Sequence, residues 1–109
     1  MPSGLADLLV QVEDAVIVHL AKEENILFPL IRAGRARTAH LPVQMMILEH
    51  ADHGRNLRRI RKITNDLNAP DHACASWREL IRGLAQLEED LTYHIHLENN
   101  ILFPRALTE

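Results

Sequence analysis

Two histidine–glutamate pairs with the same spacing are the residues of this chain best suited to chemistry. They lie in an eleven-residue phrase that occurs twice, as H-L-A-K-E-E-N-I-L-F-P at 19–29 and as H-I-H-L-E-N-N-I-L-F-P at 94–104, with seven positions identical. On a helix, the His-x-x-x-Glu spacing places an imidazole and a carboxylate one turn apart on the same side. Two such pairs that face each other would form a metal site of the two-metal kind found in helical bundles.

Three long helices are predicted to position these pairs. Breaker residues cluster at 33–40 and 68–72, and Pro42 is suited to the first turn of the second helix. Leu, Ile and Ala dominate while aromatic residues are scarce, which favours helices packed on helices over a β-rich core. The fold class is therefore predicted to be all-α, an up-down antiparallel helical bundle. Helices are expected at about 4–31, 42–67 and 73–104.

Each predicted helix carries polar groups on its apolar, inward-facing seam. The seam of the first helix is Leu5, Leu8, Val12, Ala15, His19, Glu23, Ile26 and Leu30. That of the second is Val43, Met46, His50, His53, Leu57, Ile60 and Leu67. That of the third is Leu80, Leu84, Leu87, Leu91, His94, Glu98 and Ile101. Burying an ionised carboxylate without a partner is unfavourable, so these polar groups indicate a site for cations.

Five residues are predicted to be metal ligands because they converge on one level of the bundle. They are His19, Glu23, His50, His94 and Glu98. A single histidine on an apolar face is more often a hydrogen-bonded core residue, but two His-x-x-x-Glu pairs together with a third histidine favour a metal site. Two carboxylates with imidazoles and no thiolate suggest iron or manganese, whereas mononuclear zinc would leave one glutamate spare. Phe28 and Phe103 should plug the bundle beyond the site.

The other four histidines are weaker candidates. His53 lies three residues after His50 and could be a ligand, an outer hydrogen-bond donor or a residue at the rim. We expect that it does not bind the metal directly. His96 is rotated away from the seam, and His40 and His72 fall in predicted loops, so all three are expected at the surface.

Composition limits the class of protein. With 109 residues the chain is expected to be a single domain, 1–109, and its net charge of −3 argues against a nucleic-acid partner. No apolar run approaches the ~18 residues of a membrane span, and no signal peptide is evident, so no membrane partner is expected. The lone Cys74 excludes an internal disulfide and points to a reducing compartment, which predicts a cytoplasmic protein.

Essentially the whole chain resembles the hemerythrin-like di-iron domain of the RIC proteins (repair of iron centres, also called the YtfE or ScdA family). The resemblance runs through H-L-A-K-E-E-N-I-L-F-P-L-I, M-M-I-L-E-H-A-D-H-G, W-R-E-L-I and H-I-H-L-E-N-N-I-L-F-P-R-A. It implies a four-helix bundle that holds two iron ions as a non-haem di-iron centre. Carried over by position, Glu23 and Glu98 would bridge the ions, while His19, His50 and His94 would be terminal ligands.

The chain also departs from this family in two respects. Its members normally carry a further N-terminal helix with one more histidine ligand, preceded by a small cysteine-containing domain, whereas the first helix predicted here starts at about residue 4. We therefore expect an incomplete domain with partly exposed apolar seams, which is typical of a partner surface. The expected partner is a second copy in a homodimer, or another chain that supplies the fourth helix.

Three functions follow as hypotheses. The resemblance implies repair of iron–sulfur clusters after damage by nitric oxide or oxidants, by donation of iron to client proteins. The first alternative is a module that binds or senses O2 or NO and signals through a partner. The second alternative is a metal-free interaction fragment whose site has been lost with the missing helix. No catalytic residue is predicted, and whether the protein is an enzyme stays open.

Overall fold

The computed structural model describes residues 2–108, and those residues form three helical rods without a strand. The first rod comprises α1 (Leu5–Lys22), the π-helical turn π1 (Glu23–Leu27) and α2 (Phe28–Arg32). The second rod is the single helix α3 (Ala36–Ile63). The third rod comprises α4 (Ala75–Leu97), the π-helical turn π2 (Glu98–Leu102) and α5 (Phe103–Ala106). The prediction of an all-α, up-down bundle is confirmed.

Two apolar clusters hold the rods together, one towards each end of a bundle of about 55 × 22 × 19 Å. The first cluster contains Leu5, Leu8, Val12, Leu57, Ile60 and Leu84, and the second contains Leu27, Ala39, Val43, Met46 and Phe103. Each cluster draws side chains from all three rods. Along every rod, the predicted ligands fall between the two clusters, so apolar packing on both sides fixes their level.

The second rod begins earlier than predicted. Residue 42 was expected in its first turn, but α3 starts at Ala36 and Pro42 lies inside the helix, so this prediction is wrong. Gly34, at φ 68°, takes the left-handed conformation that closes the first rod. Ala39 and Val43 have no exposed surface, and their burial outweighs the backbone hydrogen bond that a proline cannot donate.

The same helix also ends earlier than predicted. Residue 67 was expected to be helical, but α3 stops at Ile63. Asn65, Asp66 and Leu67 have φ values of 53°, 60° and 62°, a left-handed run that reverses the chain. Asn and Asp adopt the left-handed conformation more readily than most residues, which explains why the helix ends here. Leu67 reaches the first apolar cluster from this turn instead of from the helix.

Both repeats contain a π-helical turn that the sequence pattern does not predict. The N–H of Phe28 donates to the carbonyl of Glu23, and that of Phe103 donates to the carbonyl of Glu98, five residues back in each case. The next residue in each copy is a proline, which has no N–H and crowds the carbonyl four residues before it. The wider turn accommodates that ring, and such turns are frequent at functional sites.

The extra residue in each π turn changes which side chains are buried beyond it. Ile26 and Ile101 were predicted on the inward seams, but they are 53% and 45% exposed, so this prediction is wrong. Leu27, the residue after Ile26, is 1% exposed, and Phe103, two residues after Ile101, is also 1% exposed. One additional residue rotates every later side chain by about 100° around the rod. The helical period therefore predicts the buried face correctly only as far as Glu23 and Glu98.

A membrane crossing requires a helix that is both long and strongly apolar. None of the helices within residues 2–108 has this combination.

Candidate metal centre

The first rod contributes His19 and Glu23 at the junction of α1 and π1. Both side chains are buried, and Nε2 of His19 contacts Oε1 of Glu23. Their four-residue spacing places the imidazole above the carboxylate on one face of the helix. The π turn begins at Glu23 itself, so the wider backbone lies beside this histidine–glutamate pair.

The third rod contributes His94 and Glu98 at the junction of α4 and π2. Nε2 of His94 lies 3.1 Å from Oε1 of Glu98. Glu98 is buried, but the side chain of His94 is 39% exposed, whereas the seam pattern predicts a buried position. A cavity of about 410 Å³ adjoins it, lined by Phe28, His94, Leu97, Glu98, Ile101, Leu102 and Arg105. The cluster is therefore open on this side.

The second rod contributes His50, which joins the two pairs. Its Nε2 lies 2.9 Å from Oε1 of Glu98 and 3.2 Å from Nε2 of His19. One ligand atom from each of the five predicted residues lies within 4.8 Å of every other. The structure thus brings all five residues together, and their binding of a metal stays a prediction.

Hydrogen bonds behind two of the imidazoles determine which nitrogen faces the cluster. Nδ1 of His19 lies 3.0 Å from Oε1 of Glu49, and Nδ1 of His50 lies 2.7 Å from Oδ1 of Asn99. A carboxylate and an amide oxygen only accept, so each Nδ1 must carry the proton that is donated. Nε2 of each ring is then the atom available to a cation.

The oxygen and nitrogen atoms of the cluster could bind a cation but do not satisfy one another by hydrogen bonds. Both carboxylate oxygens of Glu23, Oε1 of Glu98 and Nε2 of His94 are buried without a hydrogen-bond partner among residues 2–108. Buried polar atoms are normally paired, and unpaired charges are especially unfavourable. Two imidazole Nε2 atoms at 3.2 Å would also oppose their lone pairs. Divalent cations would satisfy all of these atoms together.

The two buried glutamates have pKa values that move in opposite directions. Burial raises the pKa of Glu23, but interactions with His19 and Glu98 outweigh it and lower the pKa to about 2. Burial, reinforced by the adjacent Glu23 carboxylate, raises the pKa of Glu98 above its usual value despite the interaction with His50. Burial lowers the pKa of His19, but the neighbouring carboxylates raise it overall. The raised pKa values of Glu98 and His19 mean that protons compete with a cation for these two groups.

Three residues of the centre were missed in the sequence. Glu49 accepts from His19 and also from Nζ of Lys22 at 2.8 Å, and Asn99 accepts from His50. Burial raises the pKa of Glu49, but Lys22 and His19 lower it overall, so this carboxylate is ionised. The available signal was proximity, because Glu49 precedes one predicted ligand and Asn99 follows another.

His53 is buried beside the cluster but not within it. Its ring centroid lies 4.9 Å from that of His19 and 6.4 Å from that of His50. Neither ring nitrogen has a hydrogen-bond partner among the described residues. Burial, together with the coulombic interactions with His19 and His50, lowers the pKa of His53 to about 4. The ring is thus held neutral next to the centre, and the prediction that it does not bind metal directly stays a prediction.

The other predictions for histidine and phenylalanine side chains hold with two differences. His40, His72 and His96 are exposed, although His40 belongs to α3 and not to a loop. Phe103 is buried and its ring stacks on His50 with centroids 6.0 Å apart and an interplanar angle of 6°. Phe28 is only half-buried, so Phe103 alone closes the site as a plug.

The sequence profile of one protein family, described as the hemerythrin HHE cation binding domain, matches residues 2–106. The iron-sulfur cluster repair protein YtfE of Dickeya chrysanthemi (strain Ech1591) is 48% identical over 106 residues, which are 97% of this chain and 48% of that protein. The iron-sulfur cluster repair protein DnrN of Neisseria gonorrhoeae is 42% identical over 106 residues, 97% of this chain and 68% of that protein.

A probable iron-sulfur cluster repair protein of Haemophilus influenzae (strain ATCC 51907 / DSM 11121 / KW20 / Rd) is 43% identical over 108 residues, 99% of this chain and 48% of that protein. The chain thus spans about half the length of two of these three relatives. The family match covers both His-x-x-x-Glu pairs and the histidine between them. The chain belongs to the hemerythrin HHE cation-binding family, together with these iron–sulfur cluster repair proteins.

Proposed function

We propose that this chain is the iron-binding part of an iron–sulfur cluster repair protein and that its buried cluster holds two iron ions. The observation that carries the proposal is the cluster of three imidazoles and two carboxylates, in which Glu23, Glu98 and His94 have buried atoms without a hydrogen-bond partner within residues 2–108. Mixed imidazole and carboxylate ligands without thiolate suit iron, and carboxylates can bridge two ions. The relatives are iron–sulfur cluster repair proteins, which supports repair as the function of this chain.

The residues have separate roles in this proposal. Glu23 and Glu98 would hold the ions through their carboxylates, and His19, His50 and His94 would hold them through imidazole nitrogens. Iron held at this cluster would supply the metal that a damaged iron–sulfur cluster has lost after attack by nitric oxide or oxidants. The exposed side of His94 is the route by which iron, O2 or NO reaches the centre, because the other two imidazoles are buried.

Protein purified from iron-rich medium should contain close to two iron ions per chain. Its ferrous form should restore activity to a nitrosylated iron–sulfur enzyme, and a variant with both Glu23→Gln and Glu98→Gln should not. Iron content by metal analysis and recovered enzyme activity are the two measurements. Iron near zero would select the metal-free interaction fragment, and gas binding without restoration would select the sensing module.

The proposed compartment is the cytoplasm, where iron–sulfur client proteins would be met under reducing conditions. Cys74 is exposed and unpaired among the described residues, which fits a compartment that keeps thiols reduced.

A second copy of the chain is proposed to cover the apolar surface that the bundle leaves exposed. That surface includes Val10, Ile17, Val18 and Leu20 on α1, Leu41, Met45 and Leu48 on α3, and Tyr93 on α4. Apolar exposure on this scale is typical of an interaction surface. Sedimentation at micromolar concentration should show a dimer, and Ile17→Glu should shift it towards monomer. A compact monomer at that concentration would contradict the proposal, and dependence on a different chain would then be the alternative.

A further inference from the structure

The imidazoles of His19 and His50 are held from behind by groups of different charge. His19 donates from Nδ1 to the Glu49 carboxylate at 3.0 Å, and Lys22 in turn donates to that carboxylate at 2.8 Å. His50 donates from Nδ1 to the neutral amide oxygen of Asn99 at 2.7 Å. Neither partner belongs to the five clustered residues, and each comes from a different rod than the histidine that it holds.

A hydrogen bond behind an imidazole changes how strongly the ring binds a cation. When Nδ1–H donates to an acceptor, the ring is fixed in one orientation and one tautomer, so Nε2 keeps the lone pair. A carboxylate acceptor also pushes electron density towards Nε2 and makes it a stronger ligand than a neutral amide does. The pairing predicts that His19 is the stronger ligand of the two.

The surroundings of Glu49 make this arrangement stable. Glu49 lies on α3, its side chain is 20% exposed, and it is anchored at its second oxygen by Lys22. One oxygen is therefore free to accept from His19 while the other is fixed by the ammonium group. Two successive hydrogen bonds, from Lys22 to Glu49 and from His19 to Glu49, thus connect the surface of the bundle to the buried cluster.

We propose that Glu49 and Asn99 are positioning residues for the metal centre, which fix the imidazoles of His19 and His50 with Nε2 towards the ions, and that the charge of Glu49 gives His19 the stronger metal bond. This inference rests on the proposed function, because it assigns roles towards the iron centre proposed above. It concerns residues that do not touch the ions themselves. Lys22 acts one step further out by holding Glu49 in place.

Titration of the metal-free protein with Co²⁺, followed by its visible absorption bands, tests the role of Glu49. Glu49→Gln keeps an acceptor for Nδ1 but removes the charge, and Glu49→Leu removes both. We expect Glu49→Leu to weaken Co²⁺ binding by about 10–100-fold, with Glu49→Gln between it and the original protein. Lys22→Met keeps the Glu49 carboxylate but removes the ammonium group that fixes one of its oxygens, and it should weaken binding by only a few-fold.

Glu88→Gln is the matched control. Glu88 is 24% exposed and forms an ion pair with Arg61, so it resembles Glu49 in burial and in pairing but lies outside the cluster. Its replacement should leave Co²⁺ affinity unchanged. If Glu88→Gln and Glu49→Gln weaken binding equally, Glu49 acts through general stability and the inference is overturned.

Proton NMR of the Co²⁺ form separates positioning from general stability. The exchangeable Nδ1–H signals of His19 and His50 should be shifted by the paramagnetic ion and protected from exchange by their acceptors. Glu49→Leu should lose the signal of His19 and keep that of His50, and Asn99→Leu should do the reverse. Loss of both signals, or of neither, in the two variants would overturn the inference.

The outcomes distinguish the inference from the function on which it rests. If the original protein binds no Co²⁺ and no iron, the proposed iron centre fails and the inference fails with it. If the original protein binds metal and both Glu49 variants bind it with unchanged affinity, only the inference fails. If Glu49→Leu does not fold, Glu49→Gln and Lys22→Met still give the decisive comparison.

Discussion

Glu98→Ala should reduce the iron content by at least one ion per chain. Glu98 is buried, and its Oε1 lies 2.9 Å from His50 and 3.1 Å from His94, so it connects the ligands of two rods. Alanine removes the oxygen atoms that would bridge the ions and leaves no other carboxylate at that position. Metal analysis after purification from iron-rich medium gives the result directly, and full retention of two ions would contradict the ligand assignment.

Glu89→Ala is the control for this substitution. Glu89 is an exposed glutamate of α4, the helix that also carries His94, and it lies outside the five-residue cluster. Its removal changes the net charge of the chain by the same amount as Glu98→Ala. The iron content should stay at the original value, so a loss specific to Glu98 can be assigned to the site.

Glu98 should also influence stability with opposite signs in the two states of the protein. In the metal-free protein, Glu98→Gln removes a buried carboxyl group beside Glu23 and should raise the free energy of unfolding by about 1–3 kcal/mol. Because the pKa of Glu98 is raised, its ionisation destabilises the fold as the pH rises through that pKa, so the gain should be larger at about pH 8 than at about pH 5.

In the loaded protein the sign reverses. Bound metal stabilises the folded state by about 3 kcal/mol when its concentration is about a hundred times Kd, and weaker binding forfeits that contribution. Urea denaturation with a chelator and with added Fe²⁺ under anaerobic conditions measures both effects. If Glu98→Gln lowers the free energy of unfolding of the metal-free protein, Glu98 stabilises the fold without a metal. That result would contradict the prediction that this carboxylate is buried in order to bind a cation.

The sequence was sufficient to find the five clustered residues because their signal is periodic. His19, Glu23, His94 and Glu98 follow the helical period from apolar residues that are buried, and that period places them inward. His50 follows the same rule in α3. The duplicated phrase added a second, independent reason to pair the first and third rods. The assembly of this cluster therefore required only regular helices in an antiparallel arrangement.

The residues behind the ligands could not be found in this way. Glu49 and Asn99 hold histidines on other rods, and such contacts depend on how two helices are rotated against each other, which a single helical period does not specify. The two π turns had a local signal, the proline that ends each repeat, but this signal fits an ordinary helix end equally well. That ambiguity explains why Ile26 and Ile101 were placed on the wrong face.

His53→Leu should make the stability of the metal-free protein less sensitive to acid. Burial, together with the coulombic interactions with His19 and His50, lowers the pKa of His53 from 6.5 to about 4. Between these pH values the unfolded chain binds a proton that the folded chain excludes. The free energy of unfolding should therefore fall by about 3 kcal/mol as the pH is lowered from 6.5 to about 4. Leucine cannot take up the proton, so this contribution disappears in the variant.

Urea denaturation of both proteins with a chelator, at about pH 4 and about pH 6.5, isolates the effect, because the other titrating groups of the cluster are common to both. The free energy of unfolding of the variant, relative to that of the original protein, should be about 3 kcal/mol higher at pH 4 than at pH 6.5. The same relative value at both pH values would contradict the prediction. His40→Leu, at an exposed position of the same helix, controls for the loss of a histidine from α3.

The iron content of His53→Leu should equal that of the original protein, since His53 lies outside the clustered ligand atoms. A deficit of iron in His53→Leu alone would instead identify His53 as the sixth ligand that the resemblance to the repair family leaves open.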